Sequence, residues 1–142
     1  MKTHPQIITH TSVHSHARDL PVVARVLEEA LKVLHKESSV LELHLVSNAQ
    51  MKAINRATRG KDEPTNVLSF ESDRFSRADV EGKYIGEIYL APQVIRARGE
   101  DMKFLAIHGL LHLLKYTHKT KRDRMIMERK EDTLLDAIAD RV

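Results

Sequence analysis

The spacing of apolar residues predicts that the chain opens with a strand followed by an amphipathic helix. Residues 6–14 are rich in β-branched side chains, which favours a strand. Over residues 18–37 apolar side chains recur every three or four positions behind Asp19 and Pro21, two residue types that commonly start helices. The apolar positions are Leu20, Val23, Ala24, Leu27, Leu31 and Leu34. Such a helix buries one face and leaves the other in solvent.

Later segments continue this mixture of strands and helices. Strands are predicted over residues 40–47, 66–71 and 86–91. Helices are predicted from Asn48, as the cap, to about Ala57, from Pro92 toward Arg98, from Asp101, as the cap, to Tyr116, and from about Lys121 to the carboxyl end. Because these elements do not alternate strictly, we expect an α+β fold in an α/β-like layer: a mixed sheet of about four strands packed with about five helices.

The connections and the composition indicate one soluble globular domain over residues 1–142. Residues 58–65 are predicted to be a polar loop, and the charged segment 72–83 an exposed and mobile connection. Hydrophobic residues make up 42% of the chain and charged residues 30%, which excludes a disordered or membrane-spanning protein. No apolar run reaches the ~20 residues of a membrane span, and the amino terminus lacks a signal-peptide core. We therefore expect a cytoplasmic protein with no membrane partner.

Charge and cysteine content narrow the possible chemistry. The net charge of +3 and the isoelectric point near 9.2 favour an anionic partner without requiring one. The sequence contains no cysteine, so a metal ion would have to be held by His, Asp or Glu.

Three histidines stand in the apolar segment HGLLHLLKYTH, residues 108–118. On a helix at about 100° per residue, Phe104, Ile107, Leu111 and Leu114 form one stripe, which is the predicted core contact. His108 and His112 are four residues apart and share a separate face. Since leucines cover most of the remaining circumference, the helix is predicted to be buried, with both imidazoles lining an internal wall or cleft floor.

This spacing predicts a metal site. Imidazoles at positions i and i+4 can reach one divalent ion, and a helix ending near Lys115 or Tyr116 would let His118 fold back to the same ion. Three neutral imidazoles with an open fourth position are typical of a catalytic zinc site. The other histidines show no ligand spacing and are not expected to be ligands: His4, His10, His14, His16, His35 and His44.

Histidines at a similar spacing also occur in zinc peptidases, and one residue distinguishes this chain from them. Zinc peptidases with the motif H-E-x-x-H-x-x-G-x-x-H carry their general base directly after the first histidine. Gly109 occupies that position here, which excludes a peptidase of this type.

A basic segment ahead of the third predicted strand indicates phosphate binding. Arg56, Arg59 and Lys61 are candidates, with Arg59 in a loop at the strand's entry, where a guanidinium can bind a phosphate through two hydrogen bonds. A second basic group follows the third histidine and is either part of this surface or merely solvated: Lys119, Lys121, Arg122 and Arg124.

Three segments together resemble the YbeY family of bacterial ribosomal-RNA maturation factors. HGLLHLLKYTH is similar to the family's H-G-x-L-H-L-x-G-Y-D-H, RGKDEPTNVLSF to R-x-K-x-x-P-T-[DN]-V-L-S-F, and GEIYLAP to G-[DE]-I-x-[IL]-x-x-P. MERKED resembles the family's acidic carboxyl end, so the resemblance covers about residue 40 to the end.

The resemblance implies a zinc-dependent, single-strand-specific endoribonuclease that acts in 16S rRNA 3′-end maturation and ribosome quality control. It implies His108, His112 and His118 as ligands of one zinc ion per chain, and Arg59 and His108 as catalytic residues. The implied partners are single-stranded RNA, the 16S rRNA precursor, the ribosomal small subunit and a GTPase of the Era type. The nucleophile stays open between metal-activated water and the 2′-hydroxyl of the RNA.

Two residues depart from the family pattern. Lys115 stands where the family has Gly, and a Lys at positive φ costs on the order of 1 kcal/mol. Thr117 stands where the family has Asp and can orient an imidazole only weakly and without charge. A rival hypothesis from another class of protein is a non-catalytic assembly factor that contains a structural zinc and binds rRNA or ribosomal proteins.

Overall fold

The described part of the chain is built on one mixed sheet of four strands. The computed structural model describes residues 4–72 and 81–142. The strands are β1 (Gln6–Thr11), β2 (Ser39–Leu45), β3 (Val67–Glu71) and β4 (Lys83–Leu90). Their order across the sheet is β1-β2-β4-β3, with β1, β2 and β4 parallel and β3 antiparallel to β4. The predicted mixed four-stranded sheet is confirmed.

Five α-helices accompany the sheet within residues 4–72 and 81–142, as predicted for an α+β fold. They are α1 (Asp19–Val33), α2 (Asn48–Arg59), α3 (Pro92–Ala97), α4 (Met102–Leu113) and α5 (Lys121–Ile138). None of the helices in the described ranges is both long enough and apolar enough to cross a membrane.

The boundaries of several elements differ from the sequence prediction. The first strand ends at Thr11, and a short 3₁₀ helix, His14–His16, follows it. Strand β4 begins three residues earlier than predicted, so Lys83 belongs to the sheet and not to the charged connection. Residues 73–80, which make up most of that predicted mobile connection, lie outside the described part of the chain. Pairing with β2 extends β4, which a periodicity pattern does not record.

Side-chain caps fix where two helices begin. Asp101 accepts a hydrogen bond from the Lys103 backbone N–H at 3.0 Å, which confirms it as the cap of α4. The prediction that Asn48 caps α2 is wrong. Ser47 has extended backbone angles and forms a capping box with Gln50, which places Asn48 inside the first turn.

The main core lies between one face of the sheet and helices α1, α4 and α5. Leu41, Leu43 and Leu45 of β2 point into it and are fully buried. Helix α4 is buried on almost all sides, as its composition predicted, and Ile107 and Leu111 are fully buried within the predicted stripe. A smaller apolar cluster, which includes Met51 of α2, covers part of the opposite sheet face.

Gly86 is the most closely packed glycine in the described part of the chain, and its substitution tests the fold. Its φ is +135°, and a Cβ there would lie 2.2 Å from the Phe70 carbonyl oxygen and 3.0 Å from Leu113 Cδ2. We expect Gly86→Ala to lower the free energy of unfolding by about 2 kcal/mol in urea titrations. Gly99→Ala is the matched control, because Gly99 also has positive φ (+65°) but no heavy atom within 4 Å. Equal losses for the two variants would contradict the proposed clash.

Candidate metal centre

A left-handed turn at the end of α4 reverses the chain toward the histidines. The Lys115 N–H donates to the His112 carbonyl and the Tyr116 N–H to the Leu111 carbonyl, both at 3.0 Å, which is the Schellman pattern. Lys115 has φ +79° at the position where this motif favours Gly. The strain predicted for Lys115 is therefore present, and α4 ends at Leu113, earlier than predicted.

The turn also orients the second histidine. The Tyr116 carbonyl lies 3.0 Å from His112 Nδ1, so the ring nitrogen can donate its N–H there. That hydrogen bond selects the tautomer whose Nε2 carries a free lone pair. Since His118 follows directly after this turn, the same chain reversal brings the third imidazole back to α4.

Replacing Lys115 tests whether the turn is strained. We expect Lys115→Gly to raise the free energy of unfolding by about 1 kcal/mol over Lys115→Ala, because only Gly adopts positive φ without a Cβ clash. The comparison with Ala is matched: both variants lose the exposed ion pair between Lys115 and Glu71, which itself contributes little. Chemical denaturation measures the difference, and an Ala variant as stable as the Gly variant would contradict the strain.

The three imidazoles converge on one point. The Nε2 atoms of His108 and His112 are 3.2 Å apart, and the ring centroids of the three histidines are separated by 4.6 to 4.8 Å. One ligand nitrogen from each of His108, His112 and His118 lies within 4.8 Å of the other two. Two nitrogens bound to a tetrahedral zinc at ~2.0–2.1 Å are about 3.3 Å apart, so the α4 pair fits a shared ion.

Glu131 of α5 holds the first histidine and was not singled out from the sequence. Its Oε2 lies 2.8 Å from His108 Nδ1, and only 3% of Glu131 is exposed. A carboxylate that accepts the Nδ1 proton of a metal-binding histidine fixes the ring and raises its basicity. The acidic segment MERKED was the available signal, but 23 residues separate Glu131 from His108.

Burial keeps His108 and His112 neutral at neutral pH. Desolvation, followed by the nearby His118, lowers the pKa of His108 to about 4. Desolvation is also the main cause of the lowered pKa of His112, with smaller contributions from His108, His118 and Arg59. Desolvation raises the pKa of Glu131 to about 7. Neutral imidazole is the form that binds a metal, so the site is electrostatically prepared for a cation.

Arg59 and the histidines line one pocket of about 270 Å³. Its remaining lining residues are Thr65, Asn66, Val67, Ser69 and Gly109. The prediction that Arg59 lies in a loop is wrong. Arg59 is the last residue of α2, because the left-handed Gly60 ends the helix one residue later. Arg56 and Lys61 are exposed and are not among the described residues that line this pocket.

Two further positions clarify the chemistry of the pocket. Gly109 faces the sheet: a Cβ there would lie 3.1 Å from Ile88 Cγ2, so position 109 has no room for a peptidase-type glutamate. The Thr117 hydroxyl donates to Asp123 Oδ2 at 3.2 Å. Thr117 thus contacts a carboxylate of α5 and not an imidazole.

Two of the histidines that were not expected to be ligands lie close together. His10 and His44 lie with Glu42 on the sheet, with one ligand atom from each residue within 4.8 Å of the others. Their positions along the chain gave no sign of this, because the parallel pairing of β1 with β2 places His10 beside His44.

Fold and pocket together define a small α+β protein with a three-histidine candidate metal centre beside an arginine. Residues 8–139 match the family model described as Endoribonuclease YbeY. A Francisella tularensis subsp. novicida protein named Endoribonuclease YbeY is 33% identical over 111 residues, which cover 71% of this chain and 68% of the relative. A Moorella thermoacetica protein of the same name is 33% identical over 149 residues, covering 89% and 96%.

A solved structure agrees with these matches. The solution structure of a Thermotoga maritima protein has a TM-score of 0.60 and 26% identity, covering 95% of this chain and 91% of that one. The chain belongs to the endoribonuclease YbeY family. The family resemblance predicted from the three sequence segments is thereby confirmed.

Proposed function

We propose that the protein is a zinc-dependent, single-strand-specific endoribonuclease acting in cytoplasmic 16S rRNA 3′-end maturation and ribosome quality control. The observation that carries the proposal is the convergence of three imidazoles and Arg59 in one pocket, in a chain of the endoribonuclease YbeY family. In this proposal His108, His112 and His118 bind the ion, and Arg59 and His108 act on the substrate.

The donor set fits zinc. All three donors are imidazoles, a ligand type that suits zinc. Glu131 and the Tyr116 carbonyl contact the Nδ1 atoms of the two α4 histidines, which directs both Nε2 atoms to the shared point. His118 is exposed and so leaves one side of the site open to substrate. When bound, the ion supplies a Lewis acid that polarises a phosphoryl oxygen or a water molecule.

Arg59 provides the phosphate contact. Its guanidinium lines the pocket and lies near enough to His112 to lower the pKa of that imidazole, so both groups face the same space. A fixed positive charge there binds the scissile phosphate and stabilises the negative charge that builds up during cleavage. No carboxylate is among the described residues that line the pocket, so the lining residues do not by themselves identify the nucleophile. The ends of the RNA products should identify it: 2′,3′-cyclic phosphates indicate the RNA 2′-hydroxyl.

RNA binding should depend mainly on phosphates. The chain has only three Phe and three Tyr, which limits base stacking. Exposed basic residues lie near Arg59 and after His118 in the sequence: Arg56, Lys61, Lys119, Lys121, Arg122 and Arg124. We propose that they bind the backbone of single-stranded 16S rRNA precursor on the small subunit, where a GTPase of the Era type is a further partner. Binding should weaken steeply with salt and show little sequence preference.

The test compares cleavage of single-stranded and double-stranded RNA by zinc-loaded protein, with and without a chelator. Chelator-sensitive cleavage confined to the single strand supports the proposal. If zinc-loaded protein binds RNA but never cuts it, the enzyme hypothesis is rejected. The alternative, a non-catalytic zinc-containing assembly factor, would then be favoured.

Glu131 should control zinc affinity through His108. We expect Glu131→Gln to weaken zinc binding roughly 10–100-fold in competition titrations, because an amide is a weaker acceptor for the His108 N–H than a carboxylate. Glu128→Gln is the matched control, since Glu128 is an exposed acidic residue on the same helix. Equal affinities of the two variants would exclude this role for Glu131.

The same variant has a pH signature in the metal-free protein. The pKa of Glu131 is raised from 4.5 to about 7, chiefly by desolvation, so its contribution to stability is present below pH 4.5 and is lost as pH rises through about 7. Gln cannot ionise and avoids that loss. The stability of Glu131→Gln relative to wild type should therefore increase over this range, and a flat difference would contradict the assigned environment.

A further inference from the structure

A second cluster of donor groups lies on the sheet face opposite the main core. Glu42 and His44 alternate along β2 with the buried leucines, so they project from the other face. The parallel register places His10 of β1 beside His44, and Glu87 of β4 beside Glu42. Two imidazoles and two carboxylates from three adjacent strands therefore meet on one surface.

The distances within this cluster are those of groups that can share an ion. His10 Nε2 lies 2.9 Å from Glu42 Oε2, and His44 Nε2 lies 3.1 Å from Glu87 Oε1. The His10 and His44 rings stack with centroids 4.5 Å apart. Neighbouring ligands of a tetrahedral zinc are about 3.3 Å apart, so small side-chain rotations bring the donors to one ion.

Tyrosines hold both carboxylates in place. The Tyr84 hydroxyl donates to Glu42 Oε1 at 2.6 Å, and the Tyr89 hydroxyl donates to Glu87 Oε1 at 3.2 Å. Tyr89 also stacks on His44 at a centroid distance of 4.2 Å. Hydrogen bonds of this kind orient the ligands of protein metal sites. The donors stand on paired strands, so binding an ion requires little further ordering of the chain.

We propose that His10, Glu42 and His44 form a second site, separate from the three-histidine centre, for a divalent first-row transition ion of the zinc type. Imidazole with carboxylate suits such ions better than Mg²⁺ or Ca²⁺, which prefer oxygen ligands alone. With neutral imidazoles the two carboxylates give the patch a charge of −2, which a divalent ion neutralises. Glu87 lies close enough to supply a further oxygen.

The site is open to solvent on one side and built on the sheet on the other. The His10 side chain is 46% exposed, whereas that of Glu42 is 13% exposed. In the metal-free protein the Nε2–H groups of His10 and His44 donate to the carboxylates. Binding an ion requires the other neutral tautomer, in which the ring proton has moved from Nε2 to Nδ1 and Nε2 offers its lone pair. Because the ligands belong to different strands, the ion ties the edge strand β1 to β2.

The experiment measures zinc stoichiometry by equilibrium dialysis in a protein whose first site is removed. We expect His108→Gln/His112→Gln to retain one zinc per chain, and additional His44→Gln to abolish it. Additional His14→Gln is the matched control and should leave it unchanged, because His14 is exposed and outside both clusters. No zinc in the double variant, or zinc that survives His44→Gln, would overturn the proposal.

A second measurement guards against misfolding. In the same double-variant background, Glu42→Gln keeps the size of the side chain and should lower zinc affinity at least tenfold while circular dichroism stays unchanged. Zinc should also raise the melting temperature of the double variant and not that of its His44→Gln derivative. Unchanged affinity in the folded Glu42→Gln protein would equally reject the site. This outcome does not depend on RNA cleavage.

Discussion

Arg59→Ala is expected to slow cleavage of single-stranded RNA by about 10²–10³-fold, with binding of the RNA largely retained. The physical reason is that Arg59 lines the same pocket as the three histidines, where in the proposed mechanism its guanidinium stabilises charge that develops only during the reaction. The loss should therefore fall on kcat more than on KM. Single-turnover kinetics with zinc-loaded protein measure it.

Arg56→Ala is the matched control for this prediction. Arg56 lies one turn earlier on α2 and carries the same charge, but it is not among the pocket-lining residues that the structure describes. It should change the salt dependence of binding and leave kcat nearly unchanged. Arg59→Lys should recover only part of the rate, because an ammonium lacks the planar pair of donors. A full rate in Arg59→Ala would remove Arg59 from the mechanism.

His112→Gln is expected to weaken zinc binding at the three-histidine centre by more than the ~10–100-fold typical of losing an outer contact, and to abolish cleavage. His112 supplies the Nε2 atom that lies 3.2 Å from that of His108, so its loss leaves two of the three proposed ligands. The His112→Gln variant and the protein that retains His112 should both be titrated in a His44→Gln background, so that the cluster on the sheet binds no zinc. Undiminished affinity in His112→Gln would contradict the three-histidine centre.

The sequence predicted the architecture because burial imposes periodicity. Alternation in β2 and the repeating apolar positions of α1 follow from having one face in the core, so the mixed sheet and five helices could be predicted. The start of α4 could be predicted because the Asp101 side chain caps it through a hydrogen bond within the same turn. The ends of strands depend on pairing with other strands and were predicted less well: β4 is longer than expected because it pairs with β2.

Some features of the candidate site could likewise be predicted from the sequence, and others could not. The spacing of His108 and His112 on one helix determined that two imidazoles share a face, and the Arg59 segment indicated phosphate binding. Only the tertiary structure decided that Glu131 of α5 contacts His108 and that the Lys115 turn directs the Tyr116 carbonyl to His112. It also decided that His10 meets His44. These contacts join residues that lie on different elements or on either side of a chain reversal. Strand register and helix packing determine them, and the local spacing of residues predicts neither.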